Sequence, residues 1–321
     1  MAVQGEWLML ARTASGMYWM ARYMERADYI ARLLQVAQHM SAVRVDAESA
    51  SEWESAIIAA GGEDLFRQQH ESFSPERAIQ FLAFSTDNPS SIRSCIETAR
   101  RNARAIRTAL TAEMWEAVNG TWLELAGFDP RAMDDDRLGD LVEWVKTRSA
   151  LFHGVHSNTM LRRDGFHFAR LGEFLERADN TARLLDVKYH VRLRAPEDVG
   201  GVIDYYQWLA VLRVVAARRA YRVLYSGRIT PANVAELLTM RGEFPRSLVF
   251  CFEQITMTLE RIQSQDPART AEARRLANAM YAQLRYGRID QVFTTGLHEY
   301  LTDFIQRTDG LAAEIARAHH F

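Results

Sequence analysis

Cysteine is scarce: Cys95 and Cys251 are the only two in 321 residues. Two cannot build a disulfide scaffold or a four-cysteine zinc site. Proline (7) and glycine (17) are also few, which leaves room for long uninterrupted helices. No apolar run reaches transmembrane length. The net charge is only −2, so no global field draws the chain to nucleic acid or an anionic membrane. Phosphate loops of the GxGxxG or Walker type, a GxSxG elbow and an HExxH motif are missing. Strand signals are weak, with no period-2 run bounded by turn residues. The stretch MAVQGEWLMLARTASG lacks the basic start and apolar run of a secretory signal. A cytoplasmic protein without metal or cofactor is therefore expected. The remaining composition, 48 % hydrophobic and 25 % charged, is that of a globular chain. Its length can bury one large core or two smaller ones.

What the chain does contain is a helix written twice. Met24–Val36 reads MERADYIARLLQV and Leu175–Val187 reads LERADNTARLLDV, with nine of thirteen positions identical. Glu25 and Glu176 stand 151 positions apart, nearly half the chain. Further pairs follow in order. Trp53 answers Trp208, Ser74-Pro75 answers Thr230-Pro231, and Pro89, Ser91, Cys95 and Glu97 answer Pro245, Ser247, Cys251 and Glu253. Recurrence at this scale marks a tandem duplication. The expected fold is all-α, a helical bundle of two pseudo-symmetric halves, residues 1–150 and 151–321, packed together.

Wound at about 100° per residue, the first copy gathers Trp19, Met20, Tyr23, Met24, Ala27, Ile30, Leu33 and Leu34 on one arc. Glu25, Asp28 and Arg32 fall on the other side, with Arg22 nearby. Arg26 projects between Leu33 and Trp19, inside the edge of the apolar arc, and Arg177 repeats this beside Leu184. A guanidinium keeps its proton, so a buried one needs a carboxylate. Asp28–Arg32 and Asp179–Arg183 are i,i+4 pairs, worth a few tenths of a kcal/mol if exposed. Two readings stand open. In one, the helices pack about a pseudo-two-fold axis and Arg26 meets Glu176 while Arg177 meets Glu25, a symmetric ion-pair core. In the other, Glu25, Arg26, Asp28, Arg32, Glu176, Arg177, Asp179 and Arg183 line a polar site between the halves that binds an amino-acid or peptide ligand. Carboxylates facing each other across helices can also hold a metal. Here each has an arginine close by, and the usual i+3 histidine is missing.

The first helix is expected from Glu6 or Thr13 to near Ala42, followed by helices at Trp53–Ala60 and Glu63–His70. Ser74-Pro75 is a helix start. A single long helix is expected from Ser90 or Ser91 to Ala126, and another from Leu138 to His156 into the second copy. Later helices are expected near Tyr205–Tyr225, Ala232–Met240, Ser247–Ser264, Thr270–Tyr286 and Thr294–His319.

Other candidate chemistry is thinner. Arg93, Arg100, Arg104 and Arg107 fall on one helix face, either solvated and balanced by Glu97 and Glu113, or an anion or acidic-partner patch. No nucleic-acid module accompanies them. His153 and His156, with Asp164 and His167 nearby, have a spacing that permits metal binding but reads as surface or capping histidines. Cys95 and Cys251 sit in apolar helical patterns and read as buried structural thiols.

Several stretches together, MLARTASGMYWMARYMERADYIARLLQV, NPSSIRSCIETARRNARAIR with EMWEAVN, TMLRRDGFHFARLGEFLERADNTARLLDV and FPRSLVFC, resemble the bacterial alpha-E family (DUF403), helical domains with a Glu-Arg motif. Its members are encoded beside, or fused to, circularly permuted ATP-grasp proteins, often with a transglutaminase-like protein nearby. The resemblance implies a partner or scaffold of an ATP-grasp peptide or amide ligase, with a transglutaminase-like protein as a further partner. Gene neighbourhood shows no chemistry by itself. The alternative is an enzyme or binding protein using the Glu/Arg/Asp cluster.

Overall fold

Two long helices, α1 (Ala11–Ser41) and α8 (Asp164–His190), lie against each other through the centre of the molecule. The chain is represented by a computed structural model that describes residues 11–42, 50–190, 201–263 and 267–321. Helix takes 81 % of these, and no strand occurs among them. Residues 1–10, where the first helix was also expected to start, lie outside the described part.

The other helices wrap this pair. α2 (Ala50–Ala59) touches both α1 and α8, and α3 (Glu63–Gln69) and α4 (Pro75–Ile79) follow it, the latter running into a π-turn at Gln80–Phe84. α5 (Ile92–Ala105) and α7 (Asp135–Thr159) pack on α1, with α6 (Ala112–Leu125) behind them. After α8 come α9 (Val202–Val214), which touches both central helices, α10 (Arg218–Leu224) and α11 (Pro231–Thr239). α12 (Leu248–Arg261) and α15 (Leu297–His319) pack on α8, α13 (Pro267–Tyr286) covers α12 and α15, and α14 (Ile289–Thr295) joins α11 to α15.

Local chemistry fixes the helix starts. Ser74, Ser91, Thr111, Asp134, Thr230 and Ser247 each accept a hydrogen bond from the backbone N–H three residues on, which satisfies a donor that a helix start leaves free. Three expected helices are broken. The long one after Ser91 stops at Ala105 and restarts at Ala112, because the Thr111 hydroxyl caps a new helix. The Tyr205–Tyr225 helix breaks at Ala216, whose φ of 57° is left-handed, and the Ala217 N–H closes back on the Leu212 carbonyl. α2 ends the same way, with Gly61 at φ 69° and Gly62 N–H bonded to the Ile57 carbonyl. This is the Schellman turn. Gly296, at φ 106°, separates α14 from α15.

One apolar cluster runs from Ala14 on α1 to Ile315 on α15. Because α1 and α8 are surrounded, their polar faces meet protein rather than water. They come into backbone contact at Gly172, where a Cβ would overlap the Tyr18 carbonyl. Among the described residues, no helix is long and apolar enough to cross a membrane.

Gly172→Ala should push α8 off α1 and lower stability by about 1–3 kcal/mol, the usual range for overpacking. Urea denaturation measures this. An unchanged midpoint would show that the two backbones are not held at contact distance there.

Candidate functional site

Where α1 and α8 cross, two buried glutamates organise the surrounding charges. Glu176 on α8 takes Arg26 Nε at 2.5 Å and Arg26 Nη2 at 3.1 Å on its two oxygens, and Arg22 Nε at 2.7 Å. Glu25 on α1 takes Arg177 Nε at 2.9 Å and Arg177 Nη2 at 2.8 Å. The structure thus brings Arg26 onto Glu176 and Arg177 onto Glu25, each pair crossing from one central helix to the other. Each arginine engages its carboxylate through two nitrogens, the strong form of this contact.

Two more cations reach Glu25. His153 on α7 stands with Nε2 at 2.9 Å from Oε2, and its Nδ1 lies 3.4 Å from Glu173 Oε2, an ion-pair distance without hydrogen-bond alignment. Arg246, just before α12, donates from Nη1 to Glu25 at 3.1 Å and from Nη2 to Asp28 at 2.8 Å. Glu173 completes the cluster by pairing with Arg177 at 2.8 Å.

Burial alone would raise the pKa of Glu176, but Arg26 and Arg22 overrule it and hold the carboxyl at about 2. Glu173 is likewise held at about 2 against burial by His153 and Arg177. Glu25 lies well below the ordinary range, burial being outweighed by Arg177 and Arg246. Burial pushes His153 down, yet Glu173 and Glu25 lift it to about 9, so the ring is cationic at neutral pH.

The aspartates differ. Asp28 takes Arg32 Nε at 2.7 Å as well as Arg246, and burial loses to these two arginines, so its pKa is lowered. Asp179 takes Arg183 Nε at 2.8 Å, and there burial wins, so its pKa is raised.

Several expectations need correcting. Glu25 and Asp28, placed by the helical wheel opposite the apolar arc, are 0 % and 1 % exposed, because the side of α1 away from the apolar arc is also covered. The i,i+4 pairs Asp28–Arg32 and Asp179–Arg183 exist, but with buried carboxylates rather than as surface pairs. Arg26 keeps 24 % of its side chain exposed and is the most open of the four residues on the Glu25 and Glu176 crossing pairs. The histidines expected at the surface are inside. His153 joins the ion cluster, and His156 stacks on Phe166 at 4.4 Å, with burial lowering its pKa to about 4. The arginine face is split: Arg93, Arg100 and Arg104 lie on α5, whereas Arg107 lies in the 3-10 turn beyond its end and stacks on Trp115 at 5.2 Å. Arg100 donates to Asn119 at 2.8 Å. Cys95 and Cys251 are buried, and burial lifts both thiols to about 12. No group of three His, Cys, Asp or Glu able to hold a metal occurs among the described residues.

Arg22, Glu173 and Arg246 are not among the site residues expected from sequence, and His153 is expected there only as a surface or capping histidine. Arg246 was visible only as part of the FPRSLVFC stretch. Arg22 carried a weak signal, lying near the charged side of the first helix one turn before Arg26.

Beside Glu176 lies a cavity of about 230 Å³, lined among others by Arg22, Arg26, Glu176, Asp179, Arg183 and Asp309. Its lining is mainly polar, and its rim includes the exposed residues Gly61 and Asp309.

A sequence model for Alpha-E, described as a predicted alpha-helical domain with a conserved ER motif, matches residues 9–320. The chain belongs to the Alpha-E family. Three uncharacterized mycobacterial proteins, one from Mycobacterium bovis and two from Mycobacterium tuberculosis strains, are each 25 % identical to it over 332 residues. The match covers 94 % of this Alpha-E chain and 36 % of each relative, so the chain spans about a third of their length. No solved structure matches it.

Arg177→Ala and Arg26→Ala should each destabilise the fold by about 3–5 kcal/mol, because each strands part of a buried carboxylate. Thermal or denaturant melts test this, and unchanged melting in both variants would show the pairs to be solvated. The pH dependence follows from His153. Its folded pKa, about 9, lies above the ordinary 6.5. Its contribution is therefore complete below about pH 6.5 and lost as pH rises through 9. His153→Gln should flatten the stability profile between those values by on the order of 2–3 kcal/mol. A parallel profile in wild type and variant would rule out the cationic ring.

Proposed function

We propose that this chain is a helical partner domain of an ATP-grasp-type peptide or amide ligase, supplying position and recognition rather than bond-making chemistry. The observation that carries this reading is the crossed lock between Glu25–Arg177 and Glu176–Arg26. The acids, the histidine and the thiols around it are poorly placed to do chemistry. Glu173 and Glu176, held at about 2, are weak bases at neutral pH. His153, at about 9, is protonated and gripped by two carboxylates. The two thiols, at about 12, are poor nucleophiles.

Family membership supports the partnership, since the resemblance implies ATP-grasp proteins as neighbours or fusion partners. The mycobacterial relatives, of which this chain matches about a third, fit a module that works joined to others. We read the two halves, 1–150 and 151–321, as a tandem duplication packed around α1 and α8. The reciprocal Glu–Arg pairs and the matching turns that end α2 and α9 support this.

The test is a pull-down with an ATP-grasp protein encoded beside the gene, then a ligase assay with and without this chain. A stable complex and a several-fold rise in amide-bond formation are expected. A ligase equally active alone, with no complex formed, would overturn the partnership. Amide-bond formation by this chain alone would overturn the non-catalytic role.

A further inference from the structure

Each central glutamate has a neighbouring aspartate one turn on, Asp28 after Glu25 and Asp179 after Glu176. Around Glu25 and Asp28 the space between the two carboxylates is filled by Arg246, whose guanidinium forks to both at 3.1 and 2.8 Å. Arg246 is the residue before Ser247, which caps α12. The residue in the same place before Ser91, which caps α5, is Ser90, and it lines the cavity beside Glu176 and Asp179. The short Ser90 side chain cannot span to the carboxylates. The cavity is thus found where the other half of the molecule holds a guanidinium.

The remaining contacts agree. Glu25 carries a crossing arginine, one further cation (His153) and Arg246. Glu176 carries a crossing arginine and one further cation, Arg22. Asp28 takes two arginines, Arg32 and Arg246, through Oδ2, whereas Asp179, itself buried, takes only Arg183; Oδ1 is without a partner in both. Arg22 and Arg26 in the cavity wall do not argue against a third cation. Three converge on Glu25 in the filled half.

Arg183 is also freer than its counterpart. Arg32 donates Nη1 to the Val214 carbonyl at the end of α9. At the end of α2 the Ala59 carbonyl is taken by the Tyr29 hydroxyl at 2.9 Å. Among the described residues Arg183 hydrogen-bonds only to Asp179, so its terminal nitrogens in the cavity wall can take a carboxylate.

We propose that the cavity beside Glu176 and Asp179 binds a guanidinium group, as carried by arginine or an arginine-containing peptide. The bound group would fork between the carboxylates as Arg246 does, with a ligand carboxylate available to Arg183. A volume of about 230 Å³ falls below the roughly 300–1,000 Å³ of drug-sized pockets, which suits a side chain and not a nucleotide. The proposal rests on the recognition role above and names what is recognised.

Isothermal titration of the full chain with L-arginine, agmatine and an arginine-containing tripeptide tests it, with L-citrulline as the neutral isostere. Saturable one-to-one binding of guanidinium ligands is expected, and none of citrulline. Tighter binding of arginine than agmatine assigns Arg183 to the carboxylate, and tighter binding of the tripeptide makes a peptide the natural source. Ser90→Arg should fill the cavity from within, abolish binding and raise the melting temperature. Asp179→Asn should weaken binding about tenfold or more, as loss of a charge-assisted contact does. Failure of all three ligands to bind in the millimolar range overturns the proposal. So does undiminished binding by either variant when circular dichroism shows it folded. These readouts need no ligase, so loss of the ligase partnership with arginine binding intact would strike only the partner role.

Discussion

The architecture depends on burying charge between two helices without leaving any of it alone. An isolated carboxylate taken from water into a protein interior costs several kcal/mol, and attraction to one cation offsets this only with good geometry. Glu25 and Glu176 are given that geometry by arginines from the opposite helix. The arrangement is demanding in register. Sliding α8 along α1 by one residue, about 1.5 Å, would separate both pairs together. Apolar side chains such as Met24, Leu33 and Leu175 tolerate small slips far better. The ion pairs therefore select one alignment of the central helices, and the apolar cluster supplies the bulk of the stability. Gly172 sets the separation at which they meet, since its missing Cβ lets α8 rest on the α1 backbone at Tyr18.

This division explains which parts of the structure the sequence reveals. The helix written twice is visible because its spacing is local. The arginine inside the apolar arc points to a carboxylate elsewhere, and the repeat names the candidate. Caps at Ser74, Ser91, Thr230 and Ser247 are likewise local. Residues whose roles depend on a third element escape. His153 enters through α7, which sits on α1 for apolar reasons, and Arg246 arrives 221 positions after Glu25. Nothing near either residue advertises the destination. The burial of Asp28 was missed because a helical wheel assumes one solvated face, and α1 is enclosed. Helix breaks at Ala105 and Ala216 are set by a cap and a left-handed turn that interrupt otherwise continuous helical patterns.

The two ends of the polar core also differ in what they leave available. Around Glu25 the cations come from α7, α8 and the lead-in to α12, so the cluster is held by the tertiary structure itself. Around Glu176, Arg22 and Arg26 both come from α1, and the lead-in to α5 contributes only a serine. Under the proposed duplication, the two ends began alike and came to serve different needs. A guanidinium held in the chain fixes its carboxylates permanently. A position without one keeps Asp179 buried with one arginine, and there burial, with Glu176 and Asp309 adding to it, outweighs Arg183 and raises its pKa. A raised carboxyl pKa costs the folded chain stability at neutral pH, and a cation entering beside Asp179 would offset that cost. A pocket so arranged binds by completing an ion cluster whose other members are already in place. Little ordering is then left for the ligand to drive, which is how preorganisation strengthens binding in a small site.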